Sequence, residues 1–231
     1  MRSYGQYCAL ARALDLIGDR WTLLIIRELF ARNSRYSDLR DALPGIATNL
    51  LAERLRQLQD AGVIESYEAP PPVRATVYRL TPRGRELRPA IRALVTWGAQ
   101  LLSDGRGDDA FRTQWLVLPV RILFDGVDVA DLAPLTVLVK TGNEPATIEV
   151  KREGLWMDLG TPTSEVQVEI EGEPEKVFEF LTGRADARAA GVSVRGPRKA
   201  VRRLRTLTSR SPLVTKGRPM RAGDPVSAGR A

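Results

Sequence analysis

Between positions 48 and 60 the sequence TNLLAERLRQLQD sets Leu51, Leu55 and Leu58 at spacings of four and three. At about 100° per residue these leucines share one face of a helix. Asn49, Ala52, Glu53 and Arg56, with Thr48 at the helix start, then face the other way. Those residue types suit base-pair edges in a major groove. An Asn amide pairs bidentately with adenine, a guanidinium pairs with guanine, and a Glu carboxylate accepts from the cytosine amino group. Arg35, Tyr36, Ser37 and Arg40 upstream, and Arg54 within the helix, offer donors for phosphates. Arg74 downstream suits a neighbouring minor groove. For each residue taken singly the plainer reading is a solvated polar face.

Other chemistries are narrowed by what the chain lacks. It has no histidine, which removes Ser-His-Asp and Cys-His triads and His-ligated metal sites. Asp125-Gly126-Val127-Asp128 is not a complete calcium loop, because the later ligands are missing. No metal, no cofactor and no catalytic residue is expected, and the chain is read as not an enzyme. The one cysteine, Cys8, excludes an intrachain disulfide and fits a reducing compartment. Its plain reading is a small buried hydrophobe on the first helix.

Charge agrees with a polyanion partner. The net charge is +7 over 231 residues, unevenly spread. Residues 1–103 hold 15 Arg and no Lys against 10 acidic residues, a net of +5. Residues 104–205 are net −2 and residues 206–231 net +4. A basic amino-terminal part suits nucleic acid, although an Arg-rich composition also arises from codon bias. The longest apolar run, 21–26, is too short to span a bilayer, and no signal peptide is read at the start. The expected location is cytoplasmic, with no membrane partner.

The elements that must hold these residues follow from periodicity and breakers. A helix is expected over 7–17, stopped by Gly18, with Asp19 capping the next. That next helix, 21–30, is apolar nearly all round and so forms the buried centre of a small domain. Ser37 is expected to cap a short helix over 38–43, ended by Pro44-Gly45. The 48–60 helix follows, closed by Gly62, and Thr48 rather than Ala47 is expected to cap it. Two short helices about a tight Gly-containing turn make a helix-turn-helix. Strands over 63–67 and 76–80, around EAPPPVRA, make a hairpin wing. Thr81-Pro82 then opens a helix carrying Leu87, Ile91, Leu94, Val95, Gly98, Leu101 and Leu102 as one stripe, with a kink expected at Pro89.

The segments YCALARALDLIGDRWTLLIIRELF, RYSDLRDALPGIATNLLAERLRQLQDAGVI, VYRLTPRGREL and LVTWG resemble the HxlR-type branch of the MarR-like winged-helix regulators. The match runs from about Tyr7 to Leu102. The resemblance implies a homodimer on a two-fold-symmetric, palindromic double-stranded DNA operator, with the interface built by the first and last helices of the domain; the regulator is expected to be a repressor, with an activator as the alternative. The family often carries Ser-Pro where this chain has Ala47-Thr48. Many members carry a cysteine near Cys8, and in some it senses oxidants or electrophiles; the resemblance thus makes Cys8 a candidate redox sensor beside the buried reading, with Arg12 one turn away to lower its pKa.

After SDGRGDDA, read as a linker over 104–110, residues 111–207 look α+β. Strands are expected over 135–140, 146–151, 155–159, 165–171 and 192–195, with helices from Pro174 to Gly183 and over 197–207. Val166, Val168 and Ile170 are expected to share a buried face. VLVKTGNEPATIEVKREGLWMDLG, EVQVEIEGEPEKVFEFLTGRADARAAGVSVRG and AVRRLRTL resemble the sterol-carrier-protein-like fold. The resemblance implies a cavity for an apolar or amphiphilic small molecule, for which Trp115, Trp156, Met157, Phe178, Phe180 and Leu181 are the candidate walls; plain core is the alternative for each. Residues 208–231 read as a disordered tail. The expected whole is a mostly α winged helix-turn-helix domain (1–103) followed by an α+β domain of sterol-carrier-like type. The second domain acts either as an effector sensor or as an uncoupled carrier.

Overall fold

The computed structural model describes residues 3–70, 74–104 and 107–211. Two units are present: Met1–Ile91 together with Gln114–Leu118, and Arg92–Thr113 together with Pro119–Ala231. The first unit opens with α1 (Ala9–Ile17) and α2 (Thr22–Ala31). Ser3 Oγ and the Tyr4 N–H donate to the Asp15 carboxylate at 2.9 and 2.8 Å and fasten the arm before α1. The backbone donor of Tyr4, the Ser3 hydroxyl and Arg12 hold Asp15 below its usual carboxylate pKa. Asp19 does not cap α2, contrary to the expectation. The cap position is Trp21, in the left-handed region at φ 80°, and the Asp19 carboxylate is engaged elsewhere. Ile25, Ile26 and Leu29 of α2 are buried, as expected of a central helix, and so is Glu28.

Glu28 explains where the first unit ends. Its carboxylate is 3% exposed and accepts from Arg27 Nε at 2.9 Å, Gln114 Nε2 at 3.1 Å and Trp115 Nε1 at 2.8 Å. A buried carboxylate must be paired and hydrogen-bonded, and here two of the donors come from the first turn of α7 (Gln114–Leu123). Gln114–Leu118 thereby groups with the first unit, while Arg92–Thr113 groups with the second.

A short strand β1 (Ser34–Arg35), α3 (Tyr36–Ala42), α4 (Thr48–Asp60), β2 (Ile64–Glu68) and β3 (Thr76–Leu80) complete the core of the first unit. The sheet order is β1-β3-β2, all antiparallel, with Ser34 opposite Tyr78 and Ile64 opposite Leu80. Strand β1 was not foreseen. Thr81 caps α5 (Pro82–Arg85), its hydroxyl accepting the Gly84 N–H at 3.0 Å, as expected. The expected kink at Pro89 is a full break: α5 ends, and α6 (Arg88–Gly98) starts with Pro89 in its first turn, where a missing N–H costs nothing. A 3-10 turn, Ala99–Asp104, reaches only the first residue of the expected linker.

The second unit is α+β. Its five-stranded sheet runs β6-β5-β4-β7-β8, from β4 (Leu135–Lys140), β5 (Ala146–Lys151), β6 (Gly154–Leu159), β7 (Val168–Glu171) and β8 (Ser193–Arg195). All pairs are antiparallel except β4 with β7. Central β4 buries Leu135, Val137, Leu138 and Val139 on both faces. Strand β7 is shorter than expected, and Val166 lies outside it, exposed. Helices α8 (Pro174–Leu181), α9 (Ala187–Ala190) and α10 (Arg198–Ser209) complete the unit. Thr208 and Ser209, expected in the tail, belong to α10; residues 212–231 of that expected tail lie outside the described residues.

Candidate nucleic-acid interface

Helix α4 carries the candidate base-reading residues. Leu51, Leu55 and Leu58 are at most 1% exposed, so its register is fixed by the core. Thr48, Asn49, Glu53 and Arg56 are exposed and Ala52 half-exposed on the other side. The expected stripe is therefore an outward face. The cap expectation fails: Ala47 takes the cap position without a side-chain bond, and Thr48 is the first helical residue. Asn49 Oδ1 accepts the Leu50 N–H at 3.0 Å and so supplies a local bond at the helix start. At the far end the Val63 N–H donates to the Leu58 carbonyl and Gly62, at φ 66°, donates to Gln59, a Schellman closure.

Two arms brace this helix. The Tyr36 hydroxyl donates to the Thr48 carbonyl at 2.6 Å and ties α3 to the start of α4 across the turn at Gly45, whose φ is 90°. Gln59 Nε2 donates to Ser66 Oγ at 3.0 Å and ties α4 to β2. Tyr36 was expected to donate to phosphate; its hydroxyl proton is used inside the fold. Ser37 does not cap α3. Arg35 holds the cap position, its N–H donating to the Asp38 carboxylate at 2.9 Å in a capping-box arrangement, and Ser37 is an exposed residue within the helix.

Arg54 also departs from expectation. Its side chain is 13% exposed, its guanidinium meets Asp19 at 2.8 Å, and it donates to Gln57 at 2.6 Å. Gln57 in turn donates to Glu53 at 3.1 Å. Arg54 is thus an anchor between α4 and the segment before α2, not an open phosphate donor. No sequence signal pairs Asp19 with Arg54, because the contact is tertiary. Among the described residues Arg56 has no ion-pair partner. Arg35 and Arg40 are exposed, with Arg40 3.6 Å from Asp41. Arg74 stands exposed before β3 at φ 25°. On the hairpin, Arg79 meets Glu65 at 2.8 Å and lies over the Tyr67 ring. Burial, then the nearby Tyr36, push the Tyr78 hydroxyl above its usual pKa.

Cys8 is exposed, at the cap position of α1, so the buried-hydrophobe expectation is overturned. The expected pocket walls do not converge either. Trp115 belongs to the first unit, donating to Glu28 with Arg27 4.6 Å over its ring. Trp156 and Met157 are consecutive on β6 and face opposite sides of the sheet. On α8, Phe180 and Leu181 are core, while Phe178 is only half-buried. An open cleft of about 450 Å³ lies elsewhere in the second unit, lined by Phe180, Asp186, Arg188, Arg205 and Thr208 among others. Among the described residues no cluster of His, Cys, Asp and Glu could hold a metal, and no helix is long and apolar enough to cross a membrane.

An outward polar helix seated on a leucine face, a short helix before it and a hairpin after it define a winged helix-turn-helix DNA-binding module. Residues 16–106 match the HxlR-like helix-turn-helix family. The uncharacterized HTH-type transcriptional regulator sll1512 of Synechocystis is 42% identical over 101 residues, 42% of this chain and 73% of that protein. Rv3095 of Mycobacterium tuberculosis, also an uncharacterized HTH-type transcriptional regulator, is 39% identical over 99 residues, 43% of this chain and 62% of its own length. YodB of Bacillus subtilis is 30% identical over 93 residues, 40% of this chain and 83% of its own. The solved reduced form of YodB aligns with 43% of this chain and 99% of its own at a TM-score of 0.38. The chain belongs to the HxlR-like helix-turn-helix family and is a DNA-binding transcriptional regulator.

Proposed function

We propose that the protein is a homodimeric repressor that reads a palindromic operator through α4 and answers to a small molecule in its second unit. The observation that carries the DNA reading is the outward Asn49, Ala52, Glu53, Arg56 face on a helix whose register the buried leucines fix. Thr48 joins that face, and Arg35, Arg40 and Arg74 supply phosphate contacts. The dimer reading draws on apolar helix faces left open in a single chain. Leu10 and Leu14 of α1 are exposed, as are Leu94 and Trp97 of α6 and Leu101 and Leu102 beyond it. On each helix taken by itself, large apolar side chains left open to solvent suit burial against a second copy. Cys8, an exposed thiol beside that α1 face, is assigned a redox-sensing role.

The sensor reading takes the second unit as a ligand-binding module of sterol-carrier-like type, for an apolar or amphiphilic effector. The cleft at Phe180 and Arg205 replaces the pocket expected from sequence; its volume lies in the range of small-molecule sites, about 300–1,000 Å³. Selection of duplexes from a random library by the full chain tests the proposal. The expected product is a two-fold-symmetric sequence with half-sites about one helical turn apart. Selection of a single asymmetric half-site would overturn the dimer reading; no enrichment at all would overturn sequence-specific binding.

A further inference from the structure

Helix α10 sorts its cations into two groups. Arg203 is spent inside the fold, donating to the carbonyls of Leu132 and Pro134 at 3.2 and 2.6 Å. Arg210, just past the helix end, is locked on Asp131 at 2.6 Å. Arg198, Lys199 and Arg202 have no such role: all three are exposed, and among the described residues none meets a carboxylate. Arg205, also exposed, is near enough to Asp186 to help lower that carboxylate's pKa. The sheet of the same unit behaves otherwise. There Lys140 and Arg195 pair with Glu169, and Lys151 pairs with Glu149.

The free cations lie on one side. At about 100° per residue, Arg198, Arg202 and Arg205 fall within roughly 60° of each other around α10, with Lys199 beside them. They span about 10 Å along the axis at roughly 1.5 Å per residue. The stretch of chain around them, residues 104–205, is net −2, so the helix is a local cationic stripe on an acidic background. No acidic residue interrupts Arg198–Ser209.

The opposite side of α10 decides what kind of partner fits. Ala200, Leu204 and Leu207 are at most 4% exposed, packed in the unit's own core. A helix that enters a lipid interface needs a free apolar face, and this one has none to offer. What remains outward is charge, which suits a dense polyanion. The polyanion this protein is built to meet is duplex DNA, with one charge per roughly 1.7 Å of helix axis.

We propose that the Arg198, Lys199, Arg202 stripe of α10 is a second, sequence-independent DNA-backbone contact, additional to the winged helix. It raises affinity for any duplex and leaves base preference to α4. The full chain carrying Arg198→Ala, Lys199→Ala and Arg202→Ala together tests this on a random-sequence duplex, so no operator need be known. The slope of log affinity against log salt should become shallower by about two to three, at roughly 0.9 for each phosphate no longer neutralised. Affinity at low salt should fall several-fold for random and selected duplexes alike, with unchanged circular dichroism and thermal unfolding. Arg198→Lys with Arg202→Lys should keep the slope, because charge alone is required. An unchanged slope in the alanine variant overturns the proposal. So does a loss confined to vesicles of anionic phospholipid, which would assign the stripe to a membrane surface.

Discussion

Arg56 and Trp115 are the two residues at which single substitutions separate recognition from architecture. Arg56 is exposed on α4 without a partner among the described residues, so removing it leaves the fold intact. Arg56→Ala should weaken binding to the selected operator by about 1–3 kcal/mol and relax preference at one base pair per half-site. A mobility-shift series against operators varied at each position checks it. Equal loss on random DNA would make Arg56 a phosphate contact instead. Trp115 does the opposite work. Trp115→Phe keeps the ring beneath Arg27 but removes the N–H that Glu28 accepts, and depriving a buried carboxylate of a donor costs about 1–3 kcal/mol. Urea unfolding should show that loss while operator affinity in native buffer stays unchanged. The outward stripe on α4 was legible because leucine spacing fixes a helix's inner face, and its outer face follows. Arg54, Tyr36 and Trp115 were not, since each is decided by a partner distant in sequence: Asp19, Thr48 and Glu28.

Among the elements, the joint between hairpin and α5 has the least room. A Cβ built on Gly84 would run into the Val63 carbonyl oxygen, a backbone atom that cannot step aside. Gly84→Ala should therefore lower the unfolding temperature and shift the wing, costing roughly 1–3 kcal/mol as overpacking does. Calorimetry checks this, and a variant with unaltered stability refutes the close approach. The exposed face around α6 makes its own prediction. Leu94 is 49% and Leu101 66% exposed, so Asp at both positions should spare the monomer fold yet abolish dimers and impair operator binding, as read by light scattering and titration. A fully active monomer would end that reading. Helices could be seen in sequence from apolar spacing and Gly or Pro breakers, though the residues expected to cap α2, α3 and α4 do not do so, and strands from short β-forming runs between turns. Strand β1 could not, being two residues long and defined only by pairing with β3. Nor could α7, whose apolar run through Pro119 reads against a helix until its first turn is seen to serve Glu28.

For the whole molecule the open matter is whether the second unit speaks to DNA binding. A shortened chain ending at Ser103 is a poor instrument for this, because it removes Gln114 and Trp115 from the buried Glu28 and confounds lost signalling with lost stability. The full chain avoids that. An effector in the cleft beside Phe180 and Arg205 alters operator affinity only if it binds the DNA-free and DNA-bound forms unequally. The coupling is then reciprocal and of the order of 1–3 kcal/mol, about 5–150-fold in either affinity. A panel of neutral and anionic amphiphiles should contain a compound that changes operator affinity by such a factor, and operator DNA should change that compound's affinity by the same factor. Arg188→Glu, an exposed charge reversal at the cleft, should weaken an anionic compound while leaving operator affinity unaltered in its absence. Calorimetric titration in both directions reads the two factors. A compound that binds the cleft yet leaves DNA affinity untouched would make the second unit a carrier joined to a regulator, because a ligand with no differential affinity for the two forms shifts nothing however tightly it binds.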